Sequence, residues 1–281
     1  MKFPLLPRKK NTNKRNYGHA LVVAGSESYP GAAILTARAA LLSGAGLVTL
    51  AVPVSIRAAV LKKFPPEVMP FFFKGSPVSK LLKLVRQRRV NAIALGPGLG
   101  FNPQTAKWVR AFVRTVDVPL VLAADGLNAF QSHGSDLKKH SGSLILTPHE
   151  GEFARLTGEK PPASGKGREA LAKKFSRLYD GVLVLKGHRT LVAERDKLFR
   201  NATGNPGMAK GGSGDVLTGI IAAFLAQGLE PFQAAVWGVH FHGKAGDLAL
   251  RKTSELSLSA SDIIDSLKSC WSSSAGRAAD L

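Results

Sequence analysis

Residues 205–215 read NPGMAKGGSGD: glycines at 211, 212 and 214, then at once a carboxylate, Asp215. Glycines at this density let the backbone turn tightly and come close to a ligand. Behind them, Val216, Ile220 and Phe224 recur on one helical side, with Leu217, Ile221 and Leu225 beside them. A helix over 216–226 would point its free N–H groups and the positive end of its dipole at whatever the glycines admit, and a phosphate suits that place. Asp215 then has two readings. It caps the helix, or it is a general base that takes a proton from a hydroxyl attacking the phosphate. The three glycines before it favour the base. The segment is not a P-loop, because GxxxxGK[ST] does not occur in it.

Other groups that could act in chemistry are ambiguous singly. Gly96-Pro97-Gly98-Leu99-Gly100 is half a dinucleotide fingerprint without its spacing, so it reads equally as a plain turn or a ligand contact. Tyr29-Pro30-Gly31-Ala32 is a cap and turn, or a contact at the mouth of a helix. His149 in Thr147-Pro148-His149-Glu150 is a solvated or capping histidine, or a ligand contact. Lys186 reads as a strand-end lysine snorkelling to solvent or as a phosphate contact. The seven histidines form no HExxH, and His240 and His242 lack obvious acidic partners, so a catalytic zinc is not expected.

Short apolar runs must position these groups. Strands are predicted at 19–24, 47–52, 91–95, 119–123, 144–146, 182–186 and 190–193. Helices are predicted at 31–43, 81–89, 103–113, 168–179, 216–226, 232–250 and 260–268. The strands are continuous in apolar character rather than alternating. The fold class is therefore α/β, with a mainly parallel central sheet covered by helices on both faces. The polar words fall just after strands, where such sheets bind ligands. Phe71, Phe72 and Phe73 are adjacent and cannot share one face, which suggests a buried edge or a subunit contact.

Composition narrows the classes. The 281 residues are 44% hydrophobic, enough for one large α/β domain. The expected organisation is a basic, extended arm at 1–16, one domain at 17–269 and a polar tail at 270–281. The formal charge is +20, but the basic clusters lack interleaved aromatic residues and any helix-turn-helix or zinc-finger pattern. Plain solvated basic faces are favoured, ahead of steering of an anionic small substrate and of nucleic-acid binding. One cysteine, Cys270, excludes an intrachain disulfide, and its Ser-rich surroundings suggest a free surface or loosely held thiol. Neither a secretory signal nor a membrane span is legible, so a cytoplasmic location is expected.

Taken in order, seven words resemble the ATP/ADP-dependent NAD(P)H-hydrate dehydratase family, of ribokinase-like fold. They are GHALVVAGSESYPGAAILTARAALLSGAGLVTLAVP, ALGPGLG, AADGLNAF, LTPHEGEFARLTG, VLKGHRT, NATGNPGMAKGGSGDVLTGIIAAFLAQG and AAVWGVHFHGKAGDLA, spread over residues 18–250. The resemblance implies repair of hydrated NADH or NADPH. A nucleotide donates its terminal phosphoryl group to the ring hydroxyl of the S epimer, and phosphate then leaves. Bacterial members usually use ADP.

The resemblance also implies roles. Asp215 would be the base and a substrate contact. Ala32, Gly98, Gly100 and His149 would touch the hydrated dinucleotide. Lys186, Gly187, His188, Arg189 and Thr190 would line the adenosine side. Asn205, Gly211, Gly212, Ser213 and Gly214 would meet the nucleotide. Asn128 and Glu150 would organise the phosphate and Mg2+ region, through water and phosphate. A homo-oligomer, as a tetramer, and cooperation with a separate NAD(P)H-hydrate epimerase are implied too, since only a short arm precedes the match. Three residues depart from the family's usual pattern: Ala123 for an aspartate, Ala24 for a glycine and Ala33 for a proline. The rivals are a vitamin-precursor kinase of the same superfamily, which should lack LTPHEGEF together with GNPGMAxGGSGD, and a non-catalytic nucleotide- or nucleic-acid-binding protein.

Overall fold

A computed structural model describes residues 8–275. Nine strands form one sheet in the order β3-β2-β1-β4-β5-β6-β7-β8-β9. They are β1 (His19–Val23), β2 (Leu47–Pro53), β3 (Met69–Phe73), β4 (Ala92–Leu95), β5 (Leu120–Leu122), β6 (Leu144–Leu146), β7 (Val182–Leu185), β8 (Leu191–Glu194) and β9 (Lys197–Arg200). The strands from β3 to β7 pair in parallel, and β8 and β9 add an antiparallel end. The chain runs outward from β1 to β3, then returns to the other side of β1 with β4. That reversal opens a crevice outside the carboxyl ends of β1 and β4.

Alternation along each strand sorts side chains into two layers. Ala20, Val22, Leu50, Ala94 and Val121 meet α1 (Pro30–Leu42), α8 (Ser213–Ala226), α9 (Pro231–Leu250) and α10 (Ala260–Ala275). Leu21, Val23, Ile93, Leu95 and Leu122 meet α3 (Val78–Arg88), α4 (Pro103–Thr115), α6 (Glu150–Thr157) and α7 (Gly165–Tyr179). Two short helices complete the set, α2 (Arg57–Leu61) and α5 (Asp125–Asn128). Helix α8 is buried on nearly every side, Val216, Leu217, Ile220, Ile221, Phe224 and Leu225 all included. It is the middle helix of its layer, wedged between α1, α9 and the sheet.

Several sequence expectations change. Of the arm expected at 1–16, residues 1–7 lie outside the described part, and the rest is not wholly extended. Asn13 caps a 3-10 turn at Lys14–Tyr17, and the Arg8 guanidinium lies 4.0 Å over the Tyr17 ring. The short helix α6 and the polar edge strand β9 were not foreseen, and α7 begins three residues before the predicted start at 168. Helix α10 runs on to Ala275, past the expected start of a polar tail at 270. Cys270 is therefore not a surface thiol: it is fully buried, and burial pushes its thiol up to about 11. Residues 276–281 lie outside the described part. Strand β3 is an edge, and Phe72 packs on one layer while Phe71 and Phe73 pack on the other. Among the described residues, no helix is long and apolar enough to cross a membrane.

Candidate functional site

The site is assembled from the carboxyl ends of β1, β4, β5, β6 and β7 and the amino end of α8. Gly212 opens α8 at φ +90°, and a Cβ there would lie 2.7 Å from Leu35 Cδ1, so the turn is seated tightly against α1. Asp215 sits in the first helical turn. Burial pushes its carboxyl up to about 6; Lys186 opposes that shift, and Glu152 and Asp125 reinforce it. One ammonium and three carboxylates from four chain segments thus act on one another here.

Lys186 follows β7. Its side chain is 20% exposed, and Nζ lies 3.5 Å from Glu152 Oε2. A Cβ on Gly214 would come within 3.3 Å of the same Nζ, so the ammonium stands over the start of α8. The ammonium is thus turned toward Glu152 and the start of α8. The turn that follows has Gly187 at φ +145° and Arg189 at φ +52°, closed by the Thr190 hydroxyl donating to Gly187 O at 3.0 Å. His188 and Arg189 are exposed.

His149 does cap a helix. Its Nδ1 accepts from the Gly151 and Glu152 N–H groups at 3.0 and 3.3 Å, and Glu152 Oε2 accepts from His149 N–H at 2.8 Å. Burial lowers the ring's pKa, which favours the neutral imidazole that can accept at Nδ1. The ring is still half exposed at the site's edge.

Asp125 ties two turns together. One oxygen accepts from Gly100 N–H at 2.9 Å and the other from Asn128 Nδ2 at 3.1 Å, while Asn128 Oδ1 accepts from Arg155 Nε at 3.0 Å. Gly98, at φ +60°, packs so closely that a Cβ would meet Tyr29 Cβ at 2.7 Å and Ala32 Cβ at 2.8 Å. Ala32, Gly98 and Gly100 are therefore brought together at the β1–β4 crevice. The Ser26 hydroxyl is buried beside them without a partner. Ala123, where the sequence departs from the family pattern, is buried at the end of β5.

Asn205 is set further back. Its Nδ2 donates to Asp247 Oδ1 on α9 at 3.0 Å, and its Oδ1 is buried without a partner. Ser213 Oγ lies 3.3 Å from His242 Nε2, and burial pushes His242 down to about 4. Sequence reasoning missed Glu152, Arg168 and Asp247, and weighed His242 only as a zinc ligand. Glu152 alone carried a signal, its place three residues after a cap. Among the described residues no three His, Cys, Asp or Glu gather as a metal site.

A mostly parallel sheet, with a carboxylate at a glycine-opened helix beyond its carboxyl edge, places the chain in the ribokinase-like class. A ribokinase-like superfamily protein from Enterococcus faecalis superposes at TM-score 0.80 with 27% identity, over 95% of this chain and 91% of that one. The family model for NAD(P)H-hydrate dehydratase matches residues 20–269. The chain belongs to the NAD(P)H-hydrate dehydratase family. It is 42% identical over 270 residues to a bifunctional NAD(P)H-hydrate repair enzyme of Moorella thermoacetica, covering 93% of this chain and 51% of that protein. The chain thus spans about half the length of the curated relatives it matches. Bacillus subtilis ADP/ATP-dependent NAD(P)H-hydrate dehydratase, co-crystallised with ATP and Mg2+, is similar at TM-score 0.79 and 31% identity. That match covers 96% of this chain and 94% of that one.

Proposed function

We propose that this protein dehydrates the S epimer of hydrated NADH or NADPH, consuming ADP, or ATP, and releasing the reduced coenzyme, AMP or ADP, and phosphate. The observation that carries the reading is Asp215, a carboxylate held near 6 at the mouth of α8. A base with that pKa is largely ionised at neutral pH yet basic enough to accept a proton from an alcohol in flight.

Asp215 takes the proton of the ring hydroxyl as that oxygen attacks the terminal phosphorus. The P–O bond to the rest of the nucleotide breaks as the new P–O bond forms. Phosphate then leaves with the C–O electron pair, and the neighbouring ring carbon gives up a proton to water, which restores the double bond. Phosphate is a far better leaving group than hydroxide, which accounts for the nucleotide.

The N–H groups of Gly211, Gly212, Ser213 and Gly214 receive the polyphosphate. Lys186 and the turn of Gly187, His188, Arg189 and Thr190 take the adenosine side, backed by Asn205. Ala32, Gly98, Gly100 and His149 face the hydrated dinucleotide.

Three carboxylates against one ammonium is a poor setting for a polyphosphate unless a cation accompanies it. Mg2+ fits, because it keeps several waters and takes few protein ligands, here the half-exposed Glu150 and Asn128 by way of water and phosphate. When bound it neutralises charge developing on the transferred phosphoryl group. A homotetramer, a cytoplasmic location and cooperation with a separate epimerase that feeds in the other hydrate epimer belong to the same proposal.

The test mixes protein, Mg2+, ADP or ATP, and NADH hydrate, and follows the absorbance of the reduced ring. Recovery with at least one nucleotide is expected. No recovery with either removes the assignment.

A further inference from the structure

Arg168 lies in the first turn of α7 with its side chain only 4% exposed. Its guanidinium joins three separate segments. Nη1 donates to Glu150 Oε1 at 2.7 Å and to Pro162 O at 3.1 Å, and Nη2 donates to Lys186 O at 3.0 Å. Nε is buried without a partner.

Burying a cation is costly, and well-packed apolar residues often replace a buried ion pair with no loss of stability. An unsatisfied Nε adds to the cost. Stability is thus a weak reason for a guanidinium at this place. The three acceptors share something else. Glu150 opens α6 next to His149. The Lys186 carbonyl begins the turn whose ammonium stands over α8. Pro162 belongs to the exposed loop leading into α7. The fit under the turn is close, because a Cβ on Gly187 would lie 3.0 Å from Nη2. A lysine has one ammonium and no planar fork, so it cannot span the same three groups.

We propose that Arg168 is a positioning residue that fixes the turn at 186–190 against Glu150, and that nucleotide affinity is set through it although it touches no substrate. The proposal rests on the reading above that this turn meets the nucleotide.

The experiment is calorimetric titration of the purified full chain with ADP and with ATP in magnesium buffer. It is repeated on Arg168→Met and Arg168→Lys, with thermal melting as a check of folding. KM for nucleotide and KM for hydrate are then measured separately. Arg168→Met weakens nucleotide binding about 10-fold or more, the scale of losing hydrogen bonds from a charged group. Its nucleotide KM rises well beyond its hydrate KM. Arg168→Lys falls between it and the parent.

A folded Arg168→Met protein with parental nucleotide affinity overturns the proposal. An equal rise in both KM values also overturns it, since that is the mark of a site loosened as a whole. Should Arg168→Met fail to fold, Arg168→Lys decides, and parental affinity there overturns the proposal. Titration needs no turnover. A parent protein that binds nucleotide but repairs no hydrate therefore sinks the functional reading, and the Arg168 comparison still stands or falls by itself.

Discussion

The ammonium of Lys186 stands 3.5 Å from the carboxylate of Glu152, and both act on Asp215 with opposite sign. The Lys186 charge lowers the pKa of Asp215 and the Glu152 charge raises it. The proton-accepting power of the site, raised first by burial, is therefore tuned in opposite directions by Lys186, just after β7, and Glu152 of α6.

The rate of hydrate repair should reflect that balance. With Asp215 near 6, kcat/KM falls as pH drops below about 6, because the base becomes protonated. Glu152→Gln removes a like charge and moves this acidic limb to lower pH. Lys186→Met removes an opposite charge and moves it to higher pH. pH–rate profiles of the two variants check the signs. Limbs that move together, or not at all, would separate Asp215 from the titration.

Asp215→Asn should cost about 100- to 10,000-fold in kcat, the range for loss of a general base, with nucleotide affinity little changed. Stability should move the other way. The folded pKa, about 6, lies above the ordinary aspartate value of 3.8, so the folded state binds the proton more tightly. The carboxyl's contribution is favourable below about 4, declines as pH rises to about 6, and is unfavourable at pH 7. Removing the charge then stabilises the protein by about 1–3 kcal/mol at pH 7, and by little at pH 4. Urea melts at the two pH values measure this.

His149 has two separable tasks. Serine is a good helix cap, so His149→Ser keeps α6 within about 0.5 kcal/mol of the parent, whereas His149→Ala loses about 1 kcal/mol. If the ring meets the hydrated dinucleotide, both variants raise the hydrate KM alike. A KM that tracks only the lost cap would assign His149 to structure.

Gly214→Val puts branched carbon into the space beneath the Lys186 ammonium, where even a Cβ would come within 3.3 Å. Valine has a better helix propensity than glycine, so α8 itself loses nothing by the change. ADP binding should fall sharply while the melting temperature holds. Unchanged binding would place the polyphosphate elsewhere.

Helix α8 and the buried strands were legible because their apolar runs are unbroken, and glycine marks the ends of α8 and flanks β1. The position of Asp215 was legible for the same reason. Its choice between cap and base was not, since that depends on charges from Glu152, Asp125 and Lys186, distant in sequence. Helix α6 escaped notice because it spans only Glu150–Thr157 and is capped by histidine, an uncommon cap. Strand β9 (KLFR) carries charge at both ends, as edge strands do, and so reads as loop. Arg168 was only the first residue of a predicted helix, and Cys270 part of an expected polar tail. The burial of each comes from packing that no local pattern announces.

The sheet order also has a consequence for how the chain is made. Strand β1 is wholly buried, apolar from Ala20 to Val23, and lies inside the sheet, although β4 and α8 lie far along the sequence from it. Its second neighbour, β4, is not synthesised until residues 92–95, and α8, which covers one of its faces, not until 213–226. During synthesis, HALVV stays without its full cover until most of the chain has left the ribosome. Long-range parallel pairing of this kind is slow and exposes apolar edges to other chains. The arrangement that puts the ligand crevice beside β1 therefore also leaves an apolar strand uncovered for most of the chain's synthesis.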